Sequence, residues 1–341
     1  MIRYVIENNN QLQGGYIIFM KKTYFAFMFV LASIFLLAAC GTDEETAASS
    51  DSEDDKAEEF ESYTVEHAMG ETTIEEEPEN IVILTNEGTE ALLALGKKPV
   101  GAVESWTGDP WYDHISDQME GVEVVGDESN VNIEKVASLN PDLIIGNKMR
   151  QEDIYNQLNE IAPTVFSETL RGEWQTNFKQ YAEALNMEEE GEELLTEYDE
   201  RLSDFAEKAG EDTLDQKVSV VRFMPDHVRI YHQDSFSGVI LDDIGFDRPE
   251  NQKSDSFIEK ATKESIPDMD GDALFYFSYE TGDGAATELQ EEWTKDSLFQ
   301  NLEVVKEGNA HQVSDAIWNT AGGYLAANLM VEDLEQYFIE E

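Results

Sequence analysis

Four short, almost continuously apolar stretches leave this chain few ways to fold. Ile81-Val82-Ile83-Leu84, Leu143-Ile144-Ile145-Gly146, Val218-Ser219-Val220-Val221 and Ala273-Leu274-Phe275-Tyr276-Phe277 lack the alternation of a strand with one wet face. Runs of this length with no polar side belong to strands covered on both faces, as in a parallel sheet flanked by helices. Helical patterns lie between them. Thr89 to Leu95 closes at Gly96, Asn132 to Leu139 ends in the turn Asn140-Pro141-Asp142, and Ile154 to Ile161 precedes the short strand Thr164-Val165-Phe166. Lys98 to Val103 and Val122 to Val125 supply further strands, and Tyr63 to His67 with Thr72 to Ile74 forms an edge hairpin.

After two helices, Trp174 to Leu185 and Glu188 to Ala209, the pattern restarts. Strands at Val218–Val221 and Val228–Tyr231 lead to a helix over Ser237–Ile244, the strand Ala273–Phe277, a short helix over Trp293–Phe299, a strand at Ala310–Val313 and a closing helix over Ala321–Phe338. Strands alternating with helices predict an α/β fold. The expectation is two similar α/β lobes with mostly parallel sheets, residues 62–186 and 211–341, joined by one long helix over 187–210. A ligand would lie in the cleft where the loops beyond the carboxyl ends of the strands meet.

The amino end reads as an export signal. Met20, Lys21 and Lys22 are followed by an apolar run from Tyr24 to Leu36, then Leu37-Ala38-Ala39-Cys40. A cationic start, an apolar segment and small residues before a cut describe a secretory signal, and a lone Cys at the cut describes lipid attachment. The run is shorter than the roughly 20 residues that span a bilayer. Residues 1–39 are thus the expected signal, with Met20 as the start, and 40–61 a lipidated flexible tether. Thr42 to Glu61 holds ten acids against Lys56 alone, a composition that does not build a core. Cys40 is the only cysteine, so acylation would leave no thiol nucleophile and no Cys-based metal site. The expected location is the outer face of a Gram-positive cell membrane.

Cleavage before Cys40 removes Arg3, Lys21, Lys22 and Glu7 and moves the net charge from −52 to −54. Such a charge excludes nucleic acid and anionic lipid surfaces as partners, and fits a surface kept hydrated in high salt.

Four local patterns, in order, carry a resemblance: Ile81-Val82-Ile83-Leu84 before Glu90-Ala91-Leu92-Leu93-Ala94-Leu95-Gly96; Val131-Asn132-Ile133-Glu134-Lys135-Val136 before Leu139-Asn140-Pro141-Asp142-Leu143-Ile144-Ile145; Ile161-Ala162-Pro163-Thr164-Val165; and Val239-Ile240-Leu241 to Ile244-Gly245-Phe246. From Tyr63 to Phe338 the chain resembles the siderophore-binding lipoproteins of ABC iron importers, whose lobes are joined by a single helix. Met149-Arg150-Gln151-Glu152 before Tyr155, Arg171-Gly172-Glu173-Trp174 and Arg222 to Tyr231 make it most similar to binders of ferric hydroxamate and citrate-hydroxamate siderophores. The resemblance implies binding and hand-over rather than turnover, and a membrane permease with a cytoplasmic ATPase as partner; the protein itself is expected to be a monomer. It implies one docking carboxylate on each lobe, matched by Glu134 and, near Ser265-Ile266-Pro267, by Glu264.

A ferric siderophore brings its iron already wrapped in oxygen, so the protein needs cations, donors and aromatic walls rather than metal ligands. Arginine suits this, because its planar fork grips carboxylate or hydroxamate oxygens and stays charged. Beyond Cys40 there are six: Arg150, Arg171, Arg201, Arg222, Arg229 and Arg248. Arg150 follows a strand end, Arg222 and Arg229 bracket the turn Met224-Pro225-Asp226-His227, and Arg201 lies on the linker helix with a structural role. Arg150, Arg229, Arg222 and Arg171 are the expected ligand contacts, with His227 as a donor. Trp174, Trp318, Trp106 and Trp111 are expected to rim the cleft, with Asn319 beside Trp318.

Three rival readings compete with this one. A divalent-metal binder wants clustered His and carboxylate, whereas His67, His114, His227, His232 and His311 are scattered. A binder of haem, cobalamin or a ferric catecholate would share the fold. An enzyme would show a nucleophile and base, and no such pair is legible.

Overall fold

The computed structural model describes residues 60–339. The expected signal (1–39), Cys40 and the expected tether as far as Glu59 lie outside the described residues. The chain enters through an antiparallel hairpin, β1 (Tyr63–His67) and β2 (Gly70–Ile74), in which Val65, Thr72 and Ile74 face inward. Next come β3 (Ile81–Ile83), α1 (Asn86–Ala94), β4 (Gly101–Ala102), β5 (Glu123–Val124), a small hairpin of β6 (Gly126–Asp127) and β7 (Asn130–Val131), α2 (Ile133–Ser138), β8 (Leu143–Asn147), α3 (Lys148–Gln151), α4 (Tyr155–Asn159) and β9 (Thr164–Ser167). The first main sheet has the order β5-β4-β3-β8-β9 and is parallel throughout, with Ile81, Val82 and Ile83 opposite Leu143, Ile144 and Ile145. Every residue of β3, β8 and β9 is buried, as the unbroken apolar runs require.

Two helices follow, α5 (Trp174–Ala184) and the 22-residue α6 (Glu188–Ala209), then the short α7 (Glu211–Leu214). On α6 only Gly191, Leu195, Tyr198, Leu202 and Phe205 are buried, one stripe at helical spacing on an otherwise acidic rod. The second half runs β10 (Val218–Phe223), β11 (Val228–Tyr231), α8 (Phe236–Ile244), β12 (Ile258–Ala261), β13 (Ala273–Ser278), α9 (Ala285–Thr294), α10 (Ser297–Gln300), α11 (Glu303–Glu307), β14 (Ala310–Gln312) and α12 (Tyr324–Phe338).

Its sheet has the order β12-β11-β10-β13-β14 and differs from the first. β10, β13 and β14 are parallel, but β11 and β12 are antiparallel additions. The reason is loop length: Met224 to His227 is too short for a crossover, so β11 folds straight back on β10. β12 has no counterpart among the sequence expectations, because its alternation is weak and both Glu259 and Lys260 are exposed. Trp293 ends α9 rather than opening a helix.

One hydrophobic cluster extends across both halves behind the cleft, joining residues of α1, α5, α6, α8 and α12. At its centre the Trp174 ring stands edge-on to Tyr198 at 5.1 Å and to Phe236 at 6.3 Å, while Phe178 stacks on Tyr324 at 5.2 Å. The Glu90 carboxylate on α1 accepts the Ala326 N–H of α12 at 2.9 Å and meets His114 Nε2 at 2.5 Å. It thereby satisfies an orphan donor in the first turn of α12. Among the described residues no helix is long and apolar enough to cross a membrane.

Candidate binding cleft

A cavity of about 430 Å³ opens between the two sheets. It falls within the ordinary range for small-molecule sites and is far too large for a bare ion. Among the described residues no cluster of three or more metal-ligating side chains occurs. Of the sequence-expected contacts the cavity brings together six: Arg150, Arg171, Arg222, Arg229, Trp106 and Asn319.

Arg150 is placed by the carboxyl end of β8. Asn147 caps α3 by accepting the Met149 N–H at 2.8 Å, and buried Gln151 ties Asn147, Leu84 and Glu128 together. The guanidinium of Arg150 lies 3.2 Å from Glu128 and 5.5 Å from the centre of the Trp106 ring. Glu128 is 4 % exposed, and its other oxygen accepts the backbone and side-chain N–H of Asn86 at 2.8 and 2.9 Å.

Arg222 and Arg229 are direct cross-strand partners in the β10–β11 pairing. They share a face, where like charges repel. Asp315 relieves this by gripping Arg222 through two hydrogen bonds of 2.6 and 3.0 Å, with Tyr231 OH at 3.3 Å. Burial works against the Arg222 charge, but Tyr231 and Asp315 outweigh it and hold the group cationic, while burial pushes the Asp315 carboxyl up. The Tyr279 ring covers Arg222 at 4.7 Å. Arg229 Nε donates to His227 Nε2 at 2.9 Å, and His227 Nδ1 faces Asp226 at 2.6 Å. His227 thus orients Arg229 and does not itself line the cavity.

Arg171 precedes α5 with φ of +85°, a strained left-handed position for a residue with a side chain. Its guanidinium sits over Phe257, from the other half of the chain, at 4.2 Å. Gly172 makes this crossing possible, since a Cβ there would meet Val239 at 2.9 Å.

Three expected tryptophan walls are core instead. Trp174 is the fully buried pillar described above. Trp318 stacks on Phe275 at 4.5 Å and donates its N–H to Asp333 at 2.8 Å, and Trp111 is buried in the first half. The π-helical turn Ala316–Thr320 explains the division, because it sends Trp318 inward and Asn319 toward the cavity. Glu134 is exposed in the first turn of α2, and Glu264 is exposed in the first turn of the short helix Lys263–Met269. Arg201 pairs with Glu335 and the Asn328 carbonyl of α12, away from the cavity lining.

Sequence reasoning passed over Glu87, Glu128, Phe257 and Tyr279 on the wall. Two had a signal: Glu87 follows the Ile81–Leu84 run, and Tyr279 follows the Ala273–Phe277 run, both at strand carboxyl ends. Phe257 precedes an edge strand that the pattern does not reveal.

The chain is 50% identical over 94% of its length, and 99% of the relative, to a probable siderophore-binding lipoprotein, YfiY, of Bacillus subtilis (strain 168). It is 27% identical, over 92% of this chain and 98% of the relative, to the Fe(3+)-citrate-binding protein YfmC of the same organism. Among solved structures it is similar to Staphylococcus aureus SirA complexed with staphyloferrin B, with a TM-score of 0.75 and 35% identity over 81% of this chain and 98% of that one. The family and these relatives are substrate-binding proteins, not enzymes. A family model for periplasmic binding proteins matches residues 81–312, more than half of the chain, and the protein belongs to that family.

Proposed function

We propose that this protein captures an anionic ferric siderophore that bears carboxylates, the citrate-containing end of the hydroxamate and citrate-hydroxamate range, and hands it to an ABC permease for iron uptake. The observation that carries this is a local inversion of charge. In a chain of net charge −52, four arginines line one cavity, and neither Arg171 nor Arg229 has a carboxylate at salt-bridge distance among the described residues. Guanidinium forks match carboxylate geometry, and their charge would gain little from a neutral ligand. The names of the citrate-binding and staphyloferrin B-binding relatives support the same reading.

Titration of the soluble fragment with a panel of ferric siderophores, read by quenching of Trp106 fluorescence, tests it. A carboxylate-bearing complex should bind at least about tenfold more tightly than a neutral hydroxamate complex, roughly the worth of one charge-assisted hydrogen bond. The reverse order would move the protein to the hydroxamates. A second reading, a haem carrier, is favoured by Met149, Met224 and Tyr279 on the wall; a Soret shift on haemin titration would select it.

In this reading the lobes 62–186 and 211–341 hinge on the 187–210 helix and move little, because one shared core backs the cleft. Cys40 carries the lipid that holds the domain at the outer face of the membrane, where two acyl chains anchor stably. Glu134 and Glu264 dock on the permease. Glu134→Ala should leave ligand affinity unchanged and lower siderophore-dependent iron uptake by cells; unchanged uptake removes its docking role.

A further inference from the structure

Glu87 is the acid of the cleft that no cation neutralises. It is the second residue of α1, just past the carboxyl end of β3, 5 % exposed, and it lines the cavity. Its Oε1 accepts from Asn177 Nδ2 at 2.8 Å and from Tyr181 OH at 3.0 Å. Both donors are themselves fixed: Asn177 also donates to the Thr169 carbonyl at 2.7 Å, and Tyr181 OH is paired with Ser167 at 2.9 Å. Oε1 is therefore locked as an acceptor. Oε2 has no hydrogen-bond partner among the described residues.

The surroundings disfavour a charge here. Glu90 lies one turn along α1 with His114 on its outer oxygen, and Glu128 approaches from the β6–β7 turn, already engaged by Arg150. From α5 come Asn177 and Tyr181, and Gly323 packs against the Glu87 backbone carbonyl and the Glu90 side chain. Among the described residues no cation lies at salt-bridge distance from Glu87: Arg222 is held by Asp315, while Arg229 lies against His227 and Arg171 over the face of Phe257.

We propose that Glu87 is neutral in the free protein and that Oε2 donates a hydrogen bond to an anionic oxygen of the bound ferric siderophore, which makes it a specificity-determining residue. Burial pushes its carboxyl well above the usual range; the bonds from Asn177 and Tyr181 oppose this, and Glu128 and Glu90 add to it. A buried neutral acid serves as a donor at a pH where an exposed glutamate would repel an anion. The sign follows. Affinity is full below the Glu87 pKa and falls as pH rises through it, because the ionised form has no proton to give and repels the ligand.

This inference rests on the anionic-ligand reading above, and its test separates the two. Glu87→Gln keeps an acceptor for Asn177 and Tyr181 and a donor toward the cavity, whereas Glu87→Ala keeps neither. With whichever ferric siderophore of the panel the unmodified protein binds, Glu87→Ala should weaken binding about tenfold or more. Glu87→Gln should stay within about threefold at neutral pH and lose the alkaline fall in affinity; thermal unfolding of each variant confirms that it is folded. If Glu87→Gln binds as poorly as Glu87→Ala, the ligand needs the carboxylate charge, and the donor role is overturned. If Glu87→Ala binds like the unmodified protein, Glu87 does not touch the ligand. Should no anionic siderophore bind, the anionic-ligand reading falls alone. Difference infrared spectra of the ligand-free protein and its Glu87→Gln variant then decide the protonation: a protonated-carboxyl band that vanishes with the substitution supports the proposal, and its absence at neutral pH overturns it.

Discussion

The two walls of the cleft solve one problem in different ways. Each presents an arginine tied to a buried acid: Arg150 to Glu128 on the first wall, Arg222 to Asp315 on the second. Arg150 sits on a one-turn helix, its side chain is 38 % exposed, and it makes a single contact with an acid that Asn86 already satisfies twice. Arg222 sits in the middle of a sheet, is 5 % exposed, and is held bidentately with Tyr231 and Tyr279 around it. The first can leave its partner for a ligand at little expense. The second cannot so readily, since it would give up a bidentate pair and Asp315 would keep only the Thr320 hydroxyl, whereas Glu128 keeps two bonds from Asn86. On the proposed reading similar residues serve unlike ends: Arg150 is the one offered to the ligand, whereas Arg222 fixes the strand pair that presents Arg229.

The sharpest way to break this contrast is at Arg222. Arg222→Leu leaves Asp315 buried without its counter-charge and should lower stability by about 3–5 kcal/mol, measured by urea unfolding. A second change, Asp315→Leu, should recover much of that loss. If Arg222→Leu instead lowers affinity with stability intact, the walls are equivalent.

Arg150→Ala should weaken ferric-siderophore binding at least tenfold, about 1.4 kcal/mol, with a much smaller loss of stability than Arg222→Leu. Arg201→Ala, on the far side of the shared core, should leave affinity unchanged. Equal affinity for Arg150→Ala and the unmodified protein would remove Arg150 from the site.

The smallest effect lies behind both walls. Burial, then Asp242 and Asp199, push the Asp243 carboxyl up to about 6, beside Gln175 of α5. A raised carboxyl favours the folded state while it is protonated, and that advantage is lost as pH rises from the ordinary aspartate range through about 6. Asp243→Asn should therefore stabilise the protein at pH 7.5 by about 1 kcal/mol after allowance for solvent screening, and the gain should vanish near pH 4. Thermal unfolding across that range checks it, and a flat profile would mean that Asp243 is solvated.

Much of the architecture was legible because its causes are local. An unbroken apolar run such as Ile81–Leu84 can only be a strand covered on both sides, and the striped 188–209 segment can only be a long helix with one buried face. The antiparallel turn of β11 was also written in the chain, in the four residues between Phe223 and Val228, but it needed loop length rather than periodicity to be read. β12 was not legible, since two exposed charges and half-buried ends give it no pattern of its own.

For the cleft, the chain by itself determined which residues are rare enough to matter. Scarce arginines near strand ends were visible, and four of them do line one cavity. What each arginine does was decided only in three dimensions, because charge is neutralised by neighbours and not by position: Asp315 comes to Arg222 from 93 residues away. The tryptophans show the same limit. An amphipathic ring beside a loop suits a wall or a core equally well, and only packing sent Trp106 to the cavity and Trp174 and Trp318 inward. Glu87 is the clearest case, since one acid of 74 becomes distinctive only once its burial, its two donors and its want of a cation are seen together.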